Sequence, residues 1–153
     1  MRLVVGSDHA GYGLKEYLKP IIAGWGHEIR DVGCYCEAPV DYPGIAEEVV
    51  LHIKSGTADL GLLLCGTGQG MAIAANKVPG IRAAVCHDEF SARAAREHNN
   101  VNILALGARV VGSGVAESIV KSFLESKFAG GRHQRRLDLI KELEDKYLKQ
   151  GEK

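Results

Sequence analysis

Leu62-Leu63-Leu64-Cys65-Gly66-Thr67-Gly68-Gln69-Gly70-Met71-Ala72-Ile73-Ala74-Ala75-Asn76-Lys77, near the middle of the 153-residue chain, decides its fold. The opening run is short and wholly apolar, as a parallel strand buried on both faces requires. Glycines follow at 66, 68 and 70, with a thiol before them and a hydroxyl among them. The composition then turns small and helix-forming. Strand, glycine turn and helix start together leave backbone N–H groups without intrahelical acceptors at the carboxyl end of a sheet. A cysteine there sits beside the positive end of a helix, which favours its thiolate. The same residues also suit a plain strand-to-helix turn with the cysteine as a small buried hydrophobe.

Outward from this stretch, apolar strands alternate with amphipathic helices, the pattern of a parallel sheet covered on both faces. The spacing predicts strands over Leu3–Gly6, Glu28–Val32, Leu60–Cys65, Arg82–Cys86 and Ile103–Leu106. Helices are predicted over Leu14–Ala23, from Asp41 to Lys54, over Gly70–Lys77, from Asp88 to Glu97, and over Val115–Lys127 and Arg132–Lys149. Leu14, Leu18, Ile21 and Ile22 form the inward face of the first helix, and Ile45, Val49 and Ile53 that of the second. Pro20 removes a helical hydrogen bond and should kink or split its helix. Asp41 and Asp88 read as N-caps, and Pro43 has its φ preset for a first turn. Gly130-Gly131 breaks the chain before the last helix, which trails off at Gln150-Gly151. Its Leu137, Ile140, Leu143 and Tyr147 make a stripe longer than one sheet needs, suited to a partner subunit. With no repeat, low-complexity tract or linker, residues 1–153 read as one domain. The expected fold is α/β: a three-layer α/β/α Rossmann-like fold with a five-stranded parallel sheet and an extra C-terminal helix.

Composition narrows the classes of function. Apolar content of 46% and charged content of 25% are ordinary globular values and argue against disorder and membrane insertion. Lysine plus arginine equals aspartate plus glutamate at 19 each, so no net field draws nucleic acid or a membrane surface. A small-molecule ligand or self-association fits better. The chain enters its first strand at once, and no secretion signal is expected. The cysteines at 34, 36, 65 and 86 form no C-x-x-C pair, and Cys34-Tyr35-Cys36 is too tight for the usual zinc spacing. Reduced thiols in cytoplasm are expected.

Ligands of open α/β sheets bind beyond the carboxyl ends of the strands. The first strand delivers Asp8 and His9 there, and the third delivers Cys65, Gly66, Thr67 and Gly68. His98-Asn99-Asn100 precede the fifth strand, Arg109 follows it, and Arg132, His133, Arg135 and Arg136 open the last helix. Plainer readings stand beside each. Asp8 could cap the first helix, His9 and His98 could be surface histidines, and Arg132 with Arg136 could be a solvated face. Asn99-Asn100 could close a helix with positive φ. Convergence on one edge of the sheet is what favours a site.

Six motifs occur in order: Gly6-Ser7-Asp8-His9-Ala10-Gly11, Asp41-Tyr42-Pro43, Cys65-Gly66-Thr67-Gly68, Ile73-Ala74-Ala75-Asn76-Lys77, Arg96-Glu97-His98-Asn99 and Gly130-Gly131-Arg132-His133. With them the chain resembles the type B ribose-5-phosphate isomerases and their galactose-6-phosphate and allose-6-phosphate isomerase relatives, from the first strand to the last helix. The resemblance implies that Cys65 is the base moving a proton between C1 and C2 of the open-chain sugar. It implies an enediolate hole from the backbone of Gly66 to Gly70, Gln69 included, with Asn99. Thr67 would pass protons between the oxygens, His98 would open the furanose ring, and Asp8 would hold sugar hydroxyls. Tyr42 joins the substrate-binding set, and His9, Arg109, Arg132 and Arg136 resemble the phosphate clamp. No metal and no cofactor is implied. The implied assembly is a homodimer or dimer of dimers with its site shared between subunits.

One branch of the family carries serine or threonine in place of the cysteine and a glutamate a few residues on; here Met71 follows Gly70, so the cysteine branch applies. Met71 also stands where a cysteine phosphatase needs its arginine. Gly66-Thr67-Gly68-Gln69-Gly70-Met71 lacks the third glycine of a dinucleotide fingerprint and the lysine of a P-loop. A non-catalytic member of a pair of unlike chains is opposed by retention of Cys65, Thr67 and His98. The loop from Gly33 to Ala38 has no assigned counterpart and leaves the sugar open, since relatives acting on tetrose or hexose phosphates share the same catalytic residues.

Overall fold

A run of apolar residues in which both parities are buried can only lie between two layers, and β3 (Leu60–Cys65) does so in a computed structural model that describes residues 1–148. The other strands are β1 (Arg2–Ser7), β2 (Glu28–Asp31), β4 (Ala83–Val85) and β5 (Ile103–Gly107). All pair in parallel in the order β2-β1-β3-β5-β4. The chain leaves β1 to one side for β2 and returns to the other for β3. A switch point therefore opens between the carboxyl ends of β1 and β3, where ligands of such sheets bind.

The helices are α1 (Tyr12–Gly24), α2 (Tyr42–Lys54), α3 (Gln69–Ala75), α4 (Glu89–Asn99), α5 (Ser113–Glu125) and α6 (Arg132–Leu148). Alternation along the strands divides the core. Leu3, Val5, Leu62, Leu64, Leu104 and Leu106 pack with α1, α4 and α5. Val4, Leu63, Cys65, Ile103 and Ala105 pack with α2 and α3. The Cys65 side chain thus points toward the α2–α3 layer at the very end of its strand.

Several local expectations change. Pro20 neither breaks α1 nor splits it. Its ring lies on the exposed side of the helix. Ile21 shares that outer side, while Leu18 and Ile22 are buried. Asp41 holds the N-cap position of α2 without a side-chain cap bond. Asp88 caps α4 as read, accepting from Ser91 N–H at 2.7 Å. α4 runs past Glu97 through His98 and Asn99, and Asn100 closes it at φ 45°. α6 starts at Arg132 as read; its expected end at Lys149 and the trailing Gln150-Gly151 lie outside the described residues. Leu139, Ile140, Leu143 and Tyr147 of α6 are exposed, and only His133 and Leu137 are buried. No described helix is long and apolar enough to cross a membrane.

Candidate active site

The carboxyl edge carries the first cluster. Asp8 N–H donates to the Leu64 carbonyl at 3.1 Å, which fastens the β1 turn beside Cys65. Gly11 backs onto the same place, and a Cβ there would collide with the Leu64 carbonyl. Asp8 is buried; its Oδ1 accepts from Gly11 N–H at 2.9 Å and closes the turn after β1, while the N-cap of α1 is Gly11 with no side-chain cap bond, so Asp8 does not cap that helix. Oδ2 accepts from no described residue. Cys65 is 5% exposed, and its Sγ accepts from Gly68 N–H at 3.0 Å. Gly68 reaches that position with φ +81°, a backbone shape that a side chain would strain. The N–H groups of Gly66, Thr67 and Gly70 find no acceptor among the described residues. The loop is therefore an oriented set of free donors around a thiol.

Walls complete this half. The Tyr42 ring lies against Gly70, and the Arg109 side chain against Gly66. Arg109 N–H bonds Gly66 O at 3.0 Å. Thr67 and Gln69 are open to solvent at the mouth. His9 Nδ1 is buried without a partner among the described residues, a state that costs free energy unless something bonds there.

The remaining predicted residues are not at this edge. α4 has 11 residues, so at about 1.5 Å each it carries the chain roughly 16 Å from one edge of the sheet to the other. His98 and Asn99 end it at the amino edge, next to the start of β5. The expectation of one converging edge fails here, because α4 begins where β4 ends and must run back before β5 can start parallel. Arg82 Nε donates to the carbonyls of Asn99 at 3.1 Å and Asn100 at 3.0 Å. Arg96 Nη1 bonds Asn100 Oδ1 at 3.0 Å, anchoring the same turn from inside. Ala129 N–H bonds Glu97 O at 2.9 Å, bringing the start of α6 alongside.

The result is a second cluster, cationic in character. His98 stacks on His133 with ring centroids 4.4 Å apart and planes 7° from parallel. Burial first, then His98, Arg132 and Arg136, holds the His133 imidazole below the usual histidine range. Among the described residues no carboxylate pairs with Arg132 or Arg136. Charge concentrated without a counter-ion suits an anionic ligand.

Sequence reading missed a third group. Lys15 is fully buried; its ammonium donates to Asp31 at 2.6 and 2.8 Å and to the Cys34 carbonyl at 2.7 Å. Lys19 joins the same carboxylate at 2.7 Å. Burial alone would raise the Asp31 carboxyl, but Lys15, Lys19 and Gly33 N–H outweigh it and hold it below the ordinary carboxylate range. A signal was present: Gly11, Lys15, Leu18 and Ile22 share one helical stripe, so Lys15 had to point inward. The His98–His133 stack had no such signal, because it depends on how α6 crosses α4.

An open parallel sheet with a buried thiol and free N–H donors at its switch point defines a small-molecule-binding α/β protein. The family model described as Ribose/Galactose Isomerase matches residues 3–140, and the chain belongs to that family. It is similar to the solved structure of Clostridium thermocellum ribose-5-phosphate isomerase B, with a TM-score of 0.95 and 50% identity over 96% of this chain and 99% of that one. It is 42% identical to ribose-5-phosphate isomerase B of Escherichia coli over 95% of this chain and 97% of that protein. It is also 42% identical to a D-erythrulose-4-phosphate isomerase of Pectobacterium atrosepticum, over 86% of this chain and 87% of that protein.

Proposed function

We propose that the chain interconverts ribose 5-phosphate and ribulose 5-phosphate in the cytoplasm, as one isomerase domain without metal or cofactor. The observation that carries this is the buried Cys65 thiol facing Gly68 N–H, with the free N–H groups of Gly66, Thr67 and Gly70 around it. The Cys65 thiolate takes the C2 proton of the open-chain aldose, and the electron pair moves onto the carbonyl oxygen. Preorganised N–H donors aimed at that oxyanion lower the barrier, usually the largest catalytic contribution. Thr67 passes a proton between O2 and O1, and Cys65 returns its proton at C1. Asp8 and Tyr42 hold the sugar, with Gln69 at the rim, and His9 and Arg109 take the phosphate.

His98, Asn99, Arg132 and Arg136 act in this reading on the site of a second copy. Their place at the opposite edge, roughly 16 Å away along α4, supports a homodimer in which a two-fold axis matches each thiol edge with the partner's cationic edge. His98 then protonates the ring oxygen to open the furanose, and the arginines bind phosphate oxygens two at a time. Dimers of dimers are compatible with the same pairing.

A second reading, a tetrose 4-phosphate substrate, is favoured by the Pectobacterium relative. The two differ in the span between C2 and phosphate, which changes by roughly 1 Å per carbon, and a misplacement of that size costs about a hundredfold in rate. kcat/KM for tetrose 4-, pentose 5- and hexose 6-phosphates on the purified protein separates them. The pentose should lead; a tetrose or hexose ahead by about tenfold, roughly 1.4 kcal/mol in barrier, overturns the pentose assignment.

A further inference from the structure

Isomerisation uses neither Cys34 nor Cys36, yet both belong to a loop tied to the site. Cys34 is buried and Cys36 is exposed. The Cys34 thiol donates to the Cys36 carbonyl at 3.1 Å, so its sulfur already lies against the residue bearing the second thiol. Cys34 N–H donates to Ser7 O at 2.6 Å, and Ser7 N–H to Gly33 O at 2.6 Å. The Ser7 hydroxyl is 3.9 Å from Cys34 Sγ. From the other side the buried Lys15 ammonium grips the Cys34 carbonyl. Ser7 is followed directly by Asp8. The other thiols differ: burial, with Asp88 second, pushes Cys86 up to about 11, so it stays protonated, and Cys65 faces Gly68.

We infer that Cys34 and Cys36 form a dithiol modification site that undergoes exchange with small disulfides, and that closing the bridge lowers activity through Asp8. The exposed Cys36 thiolate attacks a disulfide RSSR, forming a mixed disulfide and releasing RS⁻. Cys34 loses its proton to solvent and attacks the Cys36 sulfur, releasing the second RS⁻. Both thiols are oxidised, RSSR is reduced to two RSH, and no other electron carrier takes part. Bridging takes the Cys34 sulfur off its carbonyl acceptor and turns the 33–36 backbone, and the bonds at Ser7 and Lys15 turn with it. In reducing surroundings such a bridge is transient, the behaviour of sensing disulfides. The activity arm rests on the reading of Asp8 as a sugar-binding residue.

The reduced full-length chain is incubated with excess glutathione disulfide, its remaining thiols are alkylated, and its peptides are mapped by mass, with isomerase activity followed in parallel. The expected result is a Cys34–Cys36 bridged peptide and a fall in kcat/KM of about tenfold, reversed by dithiothreitol. The Cys36→Ser variant, altered only at an exposed position, should form no bridge and keep its activity. Absence of the bridged peptide overturns the proposal, as does a bridge that leaves kcat/KM unchanged. Equal loss in Cys36→Ser also overturns it and moves the effect to Cys65. If the reduced chain isomerises no sugar phosphate, the isomerase reading fails while the peptide map still decides the bridge.

Discussion

Cys65 combines burial, a directed N–H donor and a place at the end of the central strand. Replacing it with alanine removes one sulfur from a packed position and should cost about 1 kcal/mol of stability. If it is the base, kcat falls about a hundred- to ten-thousandfold, the usual share of a positioned proton-transfer group. Solvent-deuterium exchange at C2 of the substrate should fall with it, while urea unfolding changes little. Substantial exchange by the folded variant would place the base elsewhere. At this scale the contiguous motifs were legible: Asp8, Cys65 and Gly68 act through neighbours in sequence. Asp8 closes the turn after β1 through one carboxylate oxygen instead of capping α1, whose N-cap is Gly11. Lys15 was not read, although its place on an apolar stripe dictated burial, because its counter-charge lies on another element.

That counter-charge ties α1 to β2 and to the loop beyond. Asp31 holds Lys15 and Lys19, and Lys15 is fully buried while the Asp31 side chain is 15% exposed. Asp31→Asn leaves the Lys15 ammonium without its anion inside the protein, which should cost about 3 kcal/mol at neutral pH. The sign of the pH dependence follows from the lowered Asp31 carboxyl. Its stabilisation is complete above the ordinary carboxylate value of about 4 and is lost as pH falls through the lower folded value. The gap between native and D31N proteins should therefore narrow on acidification below about pH 4. Urea unfolding across that range measures it; a gap constant with pH would show that the charge pair is not its source. Element types and most spans were readable because each helix and strand carries its own period. Pro20 misled because packing of Leu18 and Ile22 in the core holds α1 together through a residue whose own propensity opposes it, and packing is a property of the whole molecule.

Strand order and edge assignment belong to the whole molecule, and here local reading ran out. Spacing predicts that α4 follows β4, but not that β5 inserts between β3 and β4, nor which edge each helix end reaches. The motif containing His98 and Asn99 therefore looked like part of one convergent site and instead lies across the sheet from Cys65. The exposed Leu139, Ile140, Leu143 and Tyr147 of α6 add an apolar face beside the cationic cluster, as an interface that brings that cluster to another chain's thiol would need. A mixing experiment tests the shared site directly. Cys65→Ala chains lack the base, and Arg132→Ala chains lack part of the phosphate grip at the other edge. In a mixed dimer, one of the two sites inherits both defects and the other inherits neither. Subunit exchange at equal amounts should make about half of the dimers mixed, each with one intact site, so about a quarter of native activity should return. Size-exclusion chromatography with differently tagged chains establishes that exchange has occurred. Exchanged dimers without regained activity would mean that each site is complete within one chain, and α4 would have to carry His98 and Asn99 for some purpose other than the chemistry at Cys65.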